Sequence, residues 1–302
     1  MTTLYWQVFK NIEREFLQLA DVIHIDDKQL GVYSMKIADL LIRTAIEIEA
    51  ISKDLYLSNA GVVVPDEEMY FDTVCMKHLD NLWNLDKKVV YIVNPNLFLE
   101  QETNKILTPL HKASKRGTSS VLWNRAYQAV KHNRVKELEK GNIKNLLSAL
   151  SALYILNLYY KNQKIDKVSQ EQAKNVDSNF GSELFAIKTH FPNGLNSDGK
   201  YPKRADYDEC IYIFDYEAES KKNAIDAIKS INDYSNTQTQ KILVEKIEER
   251  ISKSLPVTEE WINEERINAI KLIYPIKDVQ VQKKLGALGK LMYNLELNKN
   301  QY

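Results

Sequence analysis

The stretch "NIKNLLSALSALYILNLYY", Asn142 to Tyr160, contains the most apolar run of the chain and decides its fold. Drawn as a helix, it carries apolar side chains around most of its circumference, which is typical of a helix that is buried on several sides. The run is too short to cross a bilayer, and Ser148, Ser151 and Asn157 make it too polar. The sequence therefore predicts a central core helix.

The segments before this helix predict a bundle around it. Apolar residues recur at helical spacing from about Leu4 to Ala20 and again in "YSMKIADLLIRTAIEIEAISKDLYL", where Ser34 is a plausible N-cap. A third helix is expected after Pro65. The β-branched run "KKVVYIVNP" predicts a short strand, and we expect residues 96–120 to be irregular.

Composition limits the class of protein. The 302 residues are 44% hydrophobic and 27% charged, which is typical of a globular chain. The low counts of 9 Gly and 7 Pro favour helices. Because the net charge is zero, a nucleic-acid surface has to be a local patch. The two cysteines, Cys75 and Cys210, lie far apart and the N-terminus lacks a signal peptide, so we expect a cytoplasmic protein without a membrane span.

The character of the chain changes after Lys161. The stretch "KNQKIDKVSQEQAKNVDSN" is polar and predicts a linker or a weak helix, whereas "SELFAIKTHF" and "ECIYIFDYE" predict strands. Helical patterns resume from about Ser220 to Leu255 and in "KKLGALGKLMYNLEL". We expect a mainly α protein, with a helical bundle over residues 1–165 and a smaller α+β region over 166–302 whose role the sequence leaves open, including whether it packs on the bundle.

The stretch "WNRAYQAVKHNR", Trp123 to Arg134, holds the candidate site. Arg125 and His132 are seven residues apart, about two helical turns, so they lie on one face. The guanidinium fork of arginine suits phosphate oxygens, and histidine transfers protons near neutral pH. The window from His111 to Lys136 contains no Asp or Glu, and its basic residues are Lys112, Lys115, Arg116, Arg125, Lys131, Arg134 and Lys136. Such a window favours a polyanionic ligand.

A structural explanation of the same residues stays open. Basic side chains near a helix C-terminus interact favourably with the helix dipole, and an Arg and a His at this spacing also occur by chance. A helical scaffold with Trp123, Tyr127 and His132 in its core is a further alternative. No spacing of His, Cys and Asp matches a zinc or calcium motif, so the sequence predicts neither a metal nor a cofactor.

The motif and its flanks resemble a known family. "RAYQAVKH" has the pattern of Arg, six residues and His found in HEPN-type ribonucleases. The wider context resembles uncharacterised bacterial and phage-associated proteins, and the resemblance covers about residues 1–165. The matching positions are Tyr33, Ser34, Glu47, Glu49, Lys53, Trp123, Tyr127, Val130, Lys131, His132 and Arg134.

The resemblance implies a HEPN-like antiparallel bundle that forms a homodimer and needs no metal or other cofactor. It implies action on RNA in toxin–antitoxin, abortive-infection or other phage-defence systems. The partner implied is an antitoxin or a defence protein. The resemblance also implies an endoribonuclease that leaves 2′,3′-cyclic phosphate ends, with His132 as acid/base and Arg125 as phosphate clamp. The substrate-binding residues expected with them are Lys131, Arg134, Tyr127 and Arg116. The supporting residues expected are Glu47, Glu49 and Asn133.

Two features keep other interpretations open. The family often has a polar residue directly after the Arg, whereas this chain has Ala126. This departure favours the alternative of a non-catalytic module that binds a nucleotide or a protein. Glu47 and Glu49 are also explained as carboxylates at the edge of an apolar stripe, with Glu49 four residues before Lys53 in a favourable pairing order.

Overall fold

The computed structural model is mainly helical, with a smaller share of strand. Within the described residues, no helix combines the length and the apolar character needed to cross a membrane. The structure describes residues 4–63, 65, 68–111, 121–192, 194–196, 199–200, 202–274 and 276–301.

The first half of the chain is a set of helices with short strands between them. Single 3₁₀ turns at Gln29–Gly31, Leu85–Lys87 and Leu138–Lys140 connect the elements. The elements are α1 (Leu4–Ala20), β1 (Ile25–Asp26), α2 (Met35–Ser58), a π-helical turn (Phe71–Cys75), α3 (Met76–Trp83), β2 (Val90–Ile92), β3 (Leu97–Phe98), α4 (Glu102–Lys105), β4 (Ile106–Leu107), α5 (Leu122–Glu137) and α6 (Ile143–Lys161).

The second half holds more of the strands and three further long helices. Its elements are β5 (Ile165–Ser169), α7 (Gln170–Lys174), β6 (Phe185–Ile187), β7 (Thr189–His190), β8 (Tyr212–Tyr216), α8 (Ala218–Ser252), α9 (Glu259–Ile273), α10 (Val279–Leu288) and β9 (Met292–Leu297).

Helix α6 is the centre of the core, as its sequence predicts. Nearly every residue from Ile143 to Tyr159 is buried. Two of its buried polar side chains donate a hydrogen bond within the helix, since Ser151 Oγ donates to the carbonyl of Ser148 and Asn157 Nδ2 donates to that of Leu153. The Oδ1 of Asn157 has no hydrogen-bond partner among the described residues. Local bonds of this kind lower the cost of burying a polar side chain.

Helix α2 packs along α6, and α1 and α5 pack against both. The Ser34 side chain accepts a hydrogen bond from the Ile37 amide at 3.2 Å, so the predicted N-cap is confirmed. Gly141, in the turn before α6, permits a close approach to α2, because a Cβ at this position would lie 2.7 Å from the Cβ of Ala38 in α2. The predicted helix from Leu4 to Ala20 is confirmed as well.

The described residues form three small sheets. Strands β1 and β3 pair in parallel, and β2 lies between β4 and β6 with antiparallel pairing on both sides. The third sheet has the order β5-β9-β8-β7, and only its β7–β8 pair is parallel. Residue 165 is the first residue of β5. Strand β6, which follows residue 165 in the chain, pairs with β2 and extends its sheet. Strand pairing therefore joins the two regions that we divided at residue 165.

Three segments differ from their sequence-based predictions. The polar stretch after Lys161 forms β5 and α7 rather than a linker or a weak helix alone. The stretch "KKLGALGKLMYNLEL" is helical only to Leu288 and then forms β9. In β9 the residues Tyr293, Leu295 and Leu297 are buried and alternate with more exposed ones, a period of two that fits a strand and not a helix. Residues 96–111 are also less irregular than expected, because they contain β3, α4 and β4.

Helices α8, α9 and α10 are inserted in the chain between two strands that are neighbours in one sheet. Strand β8 ends at Tyr216, the three helices follow, and β9 then returns to pair with β8 in antiparallel fashion. Helix α8 has 35 residues and spans about 52 Å. It packs against α9 and α10 and buries few side chains, among them Ala224 and Ala227.

Candidate functional site

Helix α5 carries the Arg125/His132 motif, and its two faces have different environments. Trp123, Asn124, Ala126, Tyr127 and Val130 are buried against the bundle. The indole Nε1 of Trp123 donates to the carbonyl of Pro109 at 2.9 Å, which fixes the start of the helix. The buried face holds α5 in one orientation on α2 and α6.

Arg125 and His132 both lie on the exposed face of α5. Their positions are separated by about 10 Å along the helix axis and by about 20° around it. Gln128 and Ala129 lie between them and are half-buried. The structure thus brings the predicted catalytic residues to one side of a helix whose other side is anchored, although the separation requires both side chains to reach toward a shared ligand.

The backbone changes direction directly after His132. Asn133 has φ −147° and ψ 60°, which interrupts the helical conformation within α5. Arg134 follows the interruption and forms an ion pair with Asp39 of α2 at 3.2 Å, with both side chains partly exposed. Asn133 therefore sets where the last turn of α5 points, and Arg134 fixes that turn on α2.

The predicted substrate-binding residues have different environments. Tyr127 is only 2% exposed and packs in the core, so it supports the helix and does not form part of the surface that faces a ligand. Lys131 is exposed, and its Nζ lies 5.3 Å from the centroid of the Tyr127 ring. Arg116 lies outside the described residues, as do Lys112 and Lys115. The alternative of a helical scaffold predicts that Trp123, Tyr127 and His132 lie in the core. Trp123 and Tyr127 are buried, whereas His132 is exposed.

The predicted supporting carboxylates belong to α2. Glu49 Oε1 accepts from Lys53 Nζ at 2.8 Å, the pairing that their spacing indicates. Burial raises the pKa of the Glu47 carboxyl above its usual range, and the charge of Arg43 opposes the rise. Glu47 also contributes to the raised pKa of Tyr5, whose hydroxyl donates to Asp54 at 2.7 Å. Glu47 thus lies near the contact of α1 with α2.

The window from His111 to Lys136 contains no acidic residue, but acidic residues outside it lie close to some of its basic side chains. Asp39 neutralises Arg134 from another helix, and Glu137 pairs with Lys140 just beyond the window. The side chains of Arg125, Lys131 and Lys136 are exposed on α5. The local positive charge is therefore weaker than the linear count indicates, and it is concentrated around the exposed face of α5.

A polar group that the sequence pattern did not indicate lies under the first turn of α5. Asn124 is fully buried, and its Nδ2 is 3.5 Å from Asp72 Oδ2 in the π-helical turn. Its Oδ1 has no hydrogen-bond partner among the described residues. π-Helical turns are frequent at functional sites. This turn packs mainly against α2 and leads into α3.

A second polar cluster lies at the edge of the four-stranded sheet. His190 ends β7, and Asp206 and Cys210 lie on a single helical turn before β8, where the Cys210 amide donates to the Asp206 carbonyl at 3.2 Å. One nitrogen, one oxygen and one sulfur of these three residues lie within 4.8 Å of one another. His190 and Cys210 are buried, whereas Asp206 is partly exposed.

Burial and nearby charges shift the pKa values in this cluster. Burial lowers the pKa of the His190 imidazole, and the bond to Asp206 opposes the shift. Burial raises the pKa of the Cys210 thiol to about 12. Lys88 is 1% exposed, and burial lowers its pKa to about 8. Burial alone would raise the pKa of Asp206, but its bonds to Lys188 and His190 lower it overall.

Sequence spacing did not reveal this cluster, because its members come from separate segments. Asp206 and Cys210 are four residues apart, a spacing that places both on one side of a helical turn. His190 joins them only through the parallel pairing of β7 with β8, where His190 is opposite Ile213.

No family model, no curated protein and no solved structure matches the chain.

Proposed function

We propose that the protein has a HEPN-like bundle and acts as an endoribonuclease through paired copies of the Arg125/His132 motif. The observation that supports the proposal is the exposure of both side chains on one face of α5, whose opposite face is anchored in the core. An exposed guanidinium and an exposed imidazole on a fixed helix are suited to bind a phosphodiester and to move a proton.

In the proposed reaction the ribose 2′-oxygen attacks the adjacent phosphorus. His132 takes the proton of the 2′-hydroxyl, and Arg125 stabilises the negative charge that develops on the phosphate oxygens. The bond from phosphorus to the 5′-oxygen breaks, and the leaving oxygen takes a proton from the His132 of a second copy. The products are a 2′,3′-cyclic phosphate and a free 5′-hydroxyl. The step needs neither a metal nor another cofactor.

A homodimer would supply the second motif. Val135, in the last turn of α5, is 96% exposed and would be available for contact with a second copy. Lys131 is exposed beside His132 and would hold a flanking phosphate, and Arg134 would hold another by exchanging its ion pair with Asp39 for the phosphate. An RNA-cleaving role of this kind is consistent with a bacterial defence system whose second component restrains the enzyme.

The experiment is cleavage of a panel of single-stranded RNAs by purified protein, with and without EDTA. Loss of a general acid or base lowers a rate by about 10²–10⁴-fold, so His132→Gln should reduce cleavage by that factor. Arg125→Lys keeps the charge but loses the fork, and it should also be impaired. Lys136→Ala removes an exposed cation from the same helix and serves as the matched control, with near wild-type rates expected.

A non-catalytic module is the second candidate, and the position of Ala126 favours it. Ala126, directly after Arg125, is 4% exposed and faces the core, so the position where the family often has a polar residue holds a buried apolar side chain. In that case wild-type protein would bind RNA or a nucleotide without cleaving it. Fluorescence anisotropy would then show weaker binding of the RNA or nucleotide by Arg125→Ala than by wild type. Neither wild type nor His132→Gln would show turnover.

A further inference from the structure

We propose that His190, Asp206 and Cys210 form a binding site for a zinc ion, independent of the function proposed for α5. Imidazole, carboxylate and thiolate are the three ligand types that zinc takes in proteins, and a thiolate–imidazole pair selects against Mg²⁺ and Ca²⁺. Three protein ligands leave a fourth position of a tetrahedral ion for water.

The distances among the ligand atoms support this assignment. His190 Nδ1 lies 3.3 Å from Asp206 Oδ1. That is longer than a typical charge-assisted hydrogen bond of about 2.7–2.9 Å. It equals the separation of roughly 3.3 Å between two ligands that bind one tetrahedral zinc at about 2.0 Å. All three ligand atoms lie within 4.8 Å of one another, so the three side chains would close around an ion on binding.

The turn that carries two of the ligands is fixed by buried donors. Lys88 Nζ donates to the carbonyls of Asp208 at 2.9 Å and of Cys210 at 3.1 Å. Asn298 Nδ2 donates to the same Cys210 carbonyl at 3.1 Å and to that of Tyr207 at 2.6 Å. Both side chains are 1% exposed. A turn held from two sides in this way keeps its ligands in place before an ion binds.

The surroundings of the ligands resemble an outer shell. Lys188 Nζ lies 3.2 Å from Oδ2 of Asp206, the oxygen that does not face His190. A partner on the second oxygen orients the first toward a metal. Tyr207 packs edge-on against His190 at 5.1 Å between ring centroids and also lines a cavity of about 440 Å³. The partial exposure of Asp206 provides a route for an ion and for a bound water.

The charges of the three ligands match a divalent cation. The thiolate of Cys210 and the carboxylate of Asp206 would neutralise Zn²⁺, and the imidazole of His190 binds it in the neutral form. On binding, the thiol proton leaves Cys210 for solvent and a sulfur–zinc bond forms. The ion would tie the end of β7 to the turn before β8, two segments that strand pairing already places side by side.

The test uses the full chain, purified under reducing conditions and freed of metal with a chelator. Isothermal titration with Zn²⁺ should show saturable binding of about one ion per chain, and Co²⁺ should give a thiolate charge-transfer band. Cys210→Ser should lose the band and bind Zn²⁺ at least about 100-fold more weakly, since even loss of an outer-shell partner costs 10–100-fold. Asp206→Asn should also weaken binding.

Cys75→Ser is the matched control, because Cys75 is the second buried cysteine of the chain and lies outside the cluster. It should keep the cobalt band and the zinc affinity. Thermal melting with and without Zn²⁺ compares each variant with itself, so a change in basal stability does not obscure the result. The proposal is overturned if wild-type protein shows no saturable binding, or if Cys210→Ser binds zinc as tightly as wild type.

Discussion

Replacement of Glu13 by alanine should destabilise the protein strongly, because this carboxylate joins the first helix to the second half of the chain. Glu13 is fully buried. Its Oε1 accepts from the Ser182 hydroxyl and from the amides of Glu183 at 3.0 Å and Leu184 at 3.1 Å. Its Oε2 pairs with Lys10 Nζ at 2.5 Å. The variant leaves three donors without this acceptor.

The magnitude follows from these contacts. Each buried donor that loses its acceptor costs about 1–3 kcal/mol, and removal of one partner of a buried ion pair costs about 3–5 kcal/mol in total. We expect Glu13→Ala to lower the free energy of unfolding by about 3–5 kcal/mol. Urea unfolding followed by far-ultraviolet circular dichroism measures the change.

The control for Glu13→Ala is Glu183→Ala. It removes the exposed partner of the same Lys10, at 2.9 Å, and should cost about 1 kcal/mol or less. A loss below about 1 kcal/mol for Glu13→Ala would refute the reasoning, because the Ser182 hydroxyl and the Glu183 amide would both lose the acceptor that Glu13 provides.

Two further substitutions in α2 test the account of the bundle. Ser34→Ala removes the acceptor for the Ile37 amide and should cost about 1 kcal/mol in urea unfolding, with Ser34→Gly closer to wild type; equal stability of all three proteins would contradict the cap. Glu47→Gln should raise the melting temperature at neutral pH, because burial raises the pKa of Glu47 in the folded state and so penalises its charged form. The sign follows from linkage: the folded state binds more protons than the unfolded state as pH rises from the usual pKa, so wild-type stability falls there. The advantage of Glu47→Gln should therefore vanish below the usual carboxyl pKa, and an advantage that is constant from acidic to neutral pH would exclude burial of the charge as its cause.

Local patterns predicted the bundle helices well. The apolar stripes of α1 and α2, the cap at Ser34 and the near-continuous apolar surface of α6 are all properties of short stretches of sequence. Periodicity alone is enough where a helix is long and one side is buried. The same reasoning placed Arg125 and His132 on one face, since a two-turn spacing fixes their relative direction.

The sheets were harder to predict, because their strands are short and pair across long separations. Strand β9 has a period of two over only six residues and follows helix α10 closely, so the helical pattern before it concealed the change. Strand β5 is polar and is recognisable mainly through its pairing with β9. A sheet-edge strand of this kind carries little signal of its own.

Part of the candidate site also depends on tertiary structure. The pairing of Arg134 with Asp39 and the burial of Tyr127 follow from how α5 lies on α2, and no spacing within α5 encodes them. The cluster of His190, Asp206 and Cys210 forms only when β7 pairs with β8. Sequence reasoning therefore identified a motif within one helix and missed a group assembled from several segments.

The central claim is that Arg125 and His132 cleave RNA, and the ends of the product test it most directly. Mass spectrometry of a short single-stranded RNA incubated with wild-type protein in EDTA should show fragments with 2′,3′-cyclic phosphate and 5′-hydroxyl ends. The same fragments should be absent or about 10²–10⁴-fold slower to appear with His132→Gln. Intact RNA with both proteins, across substrates that the wild type binds, would contradict the claim, as would cleavage at equal rates by the two.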